Sequence, residues 1–135
     1  MNKLSQTSVG RAGEFFASSI LEVHGIHTVH VEIPDDDLWC LSPSGEMLRV
    51  QVKATMSTHV DRPGSRSDLP IYRFRTGRHK KVYGGIYIFV ALDVRLCTAM
   101  RWDAQYERPP QSIRFAASQF TPEDESESIR REFLT

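Results

Sequence analysis

A chain of 135 residues is long enough to bury a real core and too short for two comfortable domains. Its 40% hydrophobic and 25% charged residues are ordinary for a soluble globular protein and select no function. Because 17 basic residues balance 17 acidic ones, a global positive field that would draw the chain to nucleic acid is excluded, and any such attraction must be local.

Residues 5–24 carry a helical period, with Val9, Phe16, Ile20 and Val23 along one side and Gly25 where a helix C-cap belongs. Gly10, Gly13 and Ala17 form a small-residue strip of the kind that lets a helix approach a sheet closely. Strands are expected at 28–33, 38–41 and 47–54, the last two joined by the turn Ser42-Pro43-Ser44-Gly45. The polar stretch 57–70 reads as a loop. Apolar and basic residues alternate over 71–75, and 86–92 is the most continuous apolar run, expected to be a central strand with 97–102 as its antiparallel neighbour. Residues 112–115 read as a short extension, and Thr121-Pro122-Glu123 starts a helix over 121–134.

Cys40 and Cys97 each sit in an apolar, strand-like run, which reads as two buried thiols in a reducing compartment. Residues 1–8 hold no apolar core of signal-peptide length and no run approaches a membrane span, so a cytoplasmic protein without a membrane partner is expected.

Three places carry chemistry. Glu14 shares a helix face with Gly10, Ala17 and Leu21, so its carboxylate interrupts a side otherwise small or apolar. Burying a carboxylate is unfavourable unless a cation meets it, and a metal ion is the simplest candidate. Asp37 ends the turn Pro34-Asp35-Asp36-Asp37 directly before the apolar run Leu38-Trp39-Cys40-Leu41, which puts a second carboxylate at a strand mouth. Mg2+ takes only one or two carboxylates beside backbone carbonyls, water and substrate oxygens, so Glu14 and Asp37 suffice. Gln51 and Lys53, two apart on a strand, project to one side while Val50, Val52 and Ala54 project to the other, toward a core. The Gln51 oxygen is suited to coordinating a metal or positioning water, and Lys53 to holding that water or neutralising charge at phosphorus.

The Gly10-x-x-Gly13-Glu14 helix, the Pro34-to-Leu38 turn and Gln51-Val52-Lys53 together resemble the PD-(D/E)XK nuclease superfamily, closest to its small Holliday-resolvase-like and homing-endonuclease-like members, over residues 8–93. The resemblance implies one α/β domain over 1–135 of restriction-endonuclease-like fold, a mixed central β-sheet flanked by helices, with Mg2+-dependent DNA endonuclease activity and Mn2+ as a possible substitute. It matches Glu14 to the helix acid, Asp37 to the family aspartate, Gln51 to the (D/E) position and Lys53 to the lysine, with Glu14, Asp37, Gln51 and the Val52 carbonyl as the metal's ligands. Gln51 departs from the usual acid, as in some homing-endonuclease-like relatives, which removes a negative charge and weakens metal affinity. A catalytically inactive DNA-binding protein of the same fold is the alternative.

Arg73, Arg75, Arg78, Lys80 and Lys81, interleaved with Tyr72, Phe74 and Tyr83, read as a DNA backbone-tracking surface, and Arg62 and Arg66 lie in the loop expected to close over the substrate. His24, His27 and His30 have an even spacing, but Gly25 breaks the helix that a zinc site on one face would need. Two-strand cleavage needs two sites, so a homodimer or higher symmetric assembly is expected, with the tail residues Ile129, Phe133 and Leu134 serving either as its interface or, equally, to pack the tail on the chain's own sheet.

Overall fold

The computed structural model describes residues 5–60, 69–77, 82–102 and 111–134. Its first element, α1 (Gln6–Val23), starts where the Ser5 hydroxyl accepts the Ser8 N–H at 3.1 Å and stops at Gly25, whose φ of +81° a side chain would resist. Next come β1 (His27–Ile33) and β2 (Asp36–Leu41), joined by Pro34 and Asp35 with Asp35 at φ 71°. Pro leading and an aspartate in the left-handed region suit a type II turn. The strand β3 (Met47–Thr55) follows the 42–45 turn, β4 (Ile71–Arg75) follows a His59–Ile71 bridge, and β5 (Ile86–Ala91) and β6 (Leu96–Arg101) complete the larger sheet. A short β7 (Ser112–Ala116) and α2 (Pro122–Phe133) end the described chain, α2 opening with the Thr121 hydroxyl accepting the Asp124 N–H.

Five strands form a mixed sheet in the order β1-β2-β3-β5-β6, parallel only between β3 and β5. The apolar run of β5 is buried at every position, as a strand covered on both faces must be. One face carries α1: Ala17 and Leu21 pack with Leu38, Val50, Val52, Ile88 and Val90. Among the described residues, no α-helix covers the other face. Residues 112–115, expected to extend the sheet, instead pair with β4 as a separate two-stranded ribbon, and its Tyr72, Phe74, Ile113 and Phe115 pack on Tyr87 and Phe89.

The helix α2 runs beside the edge strand β6. Cys97 N–H donates to Glu125 at 2.8 Å, Ala99 N–H to the Ser128 hydroxyl at 3.0 Å and Arg101 N–H to Glu132 at 2.9 Å. Acceptors spaced three and four along the helix thus satisfy alternate donors of the strand and close that edge to another chain. Ile129 and Phe133, the candidate subunit interface, are spent in this packing at 0% and 2% exposure, and Leu134 alone of the three stays exposed. Cys40 and Cys97 are buried free thiols. Among the described residues, no helix is long and apolar enough to cross a membrane.

The small-residue strip divides. A Cβ at Gly13 would stand 2.5 Å from Ala54 Cβ, whereas one at Gly10 would meet nothing within 4 Å. Gly13 alone therefore lets α1 lie against β3. Gly13→Val is expected to cost about 1–3 kcal/mol by overpacking, whereas Gly10→Ala should add stability, up to roughly 1 kcal/mol from helix propensity; urea unfolding of both variants checks the contrast.

Candidate active site

The site lies where β2 and β3 part. Their paired register ends at Leu38 opposite Val50, and beyond it the Asp37 carboxylate accepts the Val52 N–H at 2.8 Å in place of a strand partner. A strand residue presents its N–H and C=O to the same side, so the Val52 carbonyl opens onto the same gap. The close approach permitted by Gly13 sets the next residue, Glu14, over the same gap, near enough for the Asp37 carboxyl to raise its pKa.

Burial first, then the charge and hydrogen bond of Asp37, push the Glu14 carboxyl up to about 7, with Arg11 opposing the shift and Glu32 adding to it. A carboxyl raised in this way contributes stability that is fully present below its unfolded value of 4.5 and lost as pH rises through about 7. Because Glu14 is only half-buried, solvent screening reduces the contribution to about 1–2 kcal/mol. In chelator, the unfolding midpoint is expected to fall between pH 4.5 and 7, and Glu14→Gln should flatten that slope. An unchanged slope in the variant would remove Glu14 as its source.

Gln51 and Lys53 stand opposite Tyr87 and Phe89, on the aromatic face of the sheet, with Arg49 preceding them in the same stripe. Gln51 is 8% exposed, and among the described residues its buried Oε1 has no hydrogen-bond donor. An acceptor in that condition costs about 1–3 kcal/mol unless a cation or water reaches it. Lys53 is half-buried and makes no hydrogen bond or ion pair among the described residues.

The neighbouring Asp36 has a different task. It is 3% exposed and accepts from Arg49 Nε at 2.9 Å, Trp39 Nε1 at 2.8 Å and the Tyr83 hydroxyl at 2.7 Å. Its oxygens are occupied by protein donors, which leaves Asp37 as the carboxylate of this turn that meets Glu14.

No protein-family model and no curated protein matches the sequence. Among solved structures, the bacterial homing endonuclease I-Ssp6803I shares this fold. The likeness has a TM-score of 0.63 over 84% of this chain and 77% of that one, at 15% identity. The restriction-endonuclease-like architecture expected from the sequence is thus the fold observed, with the ribbon in place of a helix on the second face of the sheet.

Of the cationic candidates, Arg73 and Arg75 project from the outer side of β4, while Arg62, Arg66, Arg78, Lys80 and Lys81 lie outside the described residues. The three histidines diverge: His24 bonds the Ile20 carbonyl at 2.9 Å, His27 meets Glu22 at 3.3 Å and the His30 ring lies tilted against Phe15 with centroids 5.0 Å apart. Tyr83, expected on the DNA-tracking surface, instead donates to Asp36 together with Trp39; sequence reasoning passed over Arg49, the third donor to Asp36, and Arg114, which faces Arg73 across the ribbon. The alternation of Ile113 and Phe115 with Ser112 and Arg114 was the available signal for the last.

Proposed function

We propose that this chain is a metal-dependent DNA endonuclease of PD-(D/E)XK type. The observation that carries this reading is the carboxyl pair of Glu14 and Asp37 at a strand gap, with Gln51, the residue before Val52 on β3, carrying a buried oxygen that has no donor among the described residues. Such oxygen-only surroundings fit a hard divalent cation of the Mg2+ class, held by Glu14, Asp37, Gln51 and the Val52 carbonyl. When bound, the cation supplies positive charge that polarises the phosphodiester and favours ionised water. Asp37, fixed by the Val52 N–H, would keep its second oxygen for this cation. Lys53, on the strand face of Gln51, would orient water or neutralise charge developing at phosphorus. The shared fold with a homing endonuclease supports DNA as substrate.

The test is a cleavage panel of linear, supercoiled and branched DNA with Mg2+, Mn2+ or chelator. Metal-dependent nicking is expected from the unaltered chain and not from Asp37→Ala; nicking that survives in chelator would overturn the reading. The neutral amide of Gln51 favours a second reading, an inactive nuclease fold that binds DNA. Tight binding without cleavage of any panel member would select it.

A further inference from the structure

The β4–β7 ribbon has two unlike faces. Tyr72 and Phe74 at 2% exposure, with Ile113 and Phe115, turn toward the aromatic core, so the strand alternation turns Arg73, Arg75, Ser112 and Arg114 outward. Arg73 is half-buried, while Arg75 and Arg114 are exposed. Neither strand contains an acid, in a chain whose net charge is zero. Beside them, Arg73, Arg75, Gly77, Gln111 and Ser112 line a hollow of about 320 Å³, with no carboxylate among the described residues that line it.

The position of the ribbon matters as much as its charge. It covers the face of the sheet from which Gln51 and Lys53 project, and its first strand is tied to the segment after β3 by paired His59 and Ile71 backbone bonds of 3.0 and 2.9 Å. A molecule seated on the outer face therefore lies on the same side of the sheet as that polar stripe. Geometry selects which molecule. Alternate residues of a strand are about 6.8 Å apart, two base-pair steps of about 3.4 Å, and a two-stranded ribbon fits a major groove about 12 Å wide.

We propose that the outer face of the β4–β7 ribbon docks in the major groove of duplex DNA, where Arg75 and Arg114 read guanine edges. This rests on the DNA-endonuclease reading and adds to it the residues that choose the sequence. Arginine presents a planar fork that matches the two guanine acceptors, and lysine keeps the charge without the fork.

The experiment selects bound sequences from a pool of randomised duplex DNA, in chelator, for the full chain and for Arg75→Lys, Arg114→Lys, Arg75→Ala and Arg114→Ala. Circular dichroism confirms that each variant is folded. The unaltered chain is expected to enrich guanine-containing sites, and each lysine variant to lose about 5- to 150-fold of discrimination at one position while still binding the pool. Retained preference in the lysine variants, with uniform weakening in the alanine variants, would overturn base reading and leave phosphate contact. Unaltered affinity and preference in all four would overturn docking. If the unaltered chain nicks DNA under Mg2+ while either result holds, the endonuclease reading survives alone; if it neither enriches nor nicks, both fall.

Discussion

Asp37→Asn is expected to slow nicking of supercoiled DNA by about 10³-fold while the unfolding midpoint in chelator does not fall below that of the unaltered chain. The asymmetry follows from the two jobs of one carboxylate. One oxygen accepts the Val52 N–H at 2.8 Å, and an amide oxygen can accept the same bond. The negative charge is what asparagine lacks, and several kcal/mol of charge stabilisation at phosphorus corresponds to roughly three decades in rate. Asp37→Ala removes the acceptor too and should cost about 1–3 kcal/mol in addition, because the Val52 N–H is left without its acceptor. A plasmid-nicking time course beside thermal unfolding separates the effects. Full activity in Asp37→Asn would remove Asp37 from the site. The variant has a second signature: without the Asp37 charge, Glu14 loses part of its upward shift and keeps the part due to burial.

What sequence could say of the candidate site was local. Glu14 could be placed because a helix face is fixed by its own spacing, and Gln51 and Lys53 because a strand has a period of two. Ser5 and Thr121 mark helix starts through caps that involve neighbours three residues away. The failures were all long-range. Residues 112–115 showed their two faces but not their partner, since β4 lies more than thirty residues earlier and nothing local encodes that pairing. The helix over 121–134 was legible, but not that its Glu125 is buried against an edge strand whose identity depends on strand order. Gly10 and Gly13 look alike in sequence, and only the tilt of α1 over β3 decides that Gly13 is the one in contact.

Asp36 is where three acids in a row most needed a structure to tell them apart, and the largest stability loss is expected there. Burial pushes its carboxyl upward, but the hydrogen bonds from Arg49, Tyr83 and Trp39 together outweigh that and hold it below its ordinary value. Removing it leaves Trp39 Nε1 and the Tyr83 hydroxyl without their acceptor, while Arg49, with its side chain 47% exposed, can return to water. Asp36→Ala should therefore cost about 2–4 kcal/mol, below the full loss for a wholly buried pair. At this chain length that is roughly a 10 °C fall in the unfolding midpoint. The sign of the pH dependence is opposite to that of Glu14. A depressed carboxyl contributes stability that is present above its unfolded value of 3.8 and lost as pH falls through the lower folded value. The unaltered chain should thus lose stability on the acid side through Asp36 and toward neutrality through Glu14, with its maximum between. Asp36→Ala should remove only the acid limb, and Glu14→Gln only the limb toward neutrality. Thermal unfolding from pH 3 to 8 in chelator resolves the two, and a single variant that erases both limbs would show that the neighbouring carboxylates titrate as one group.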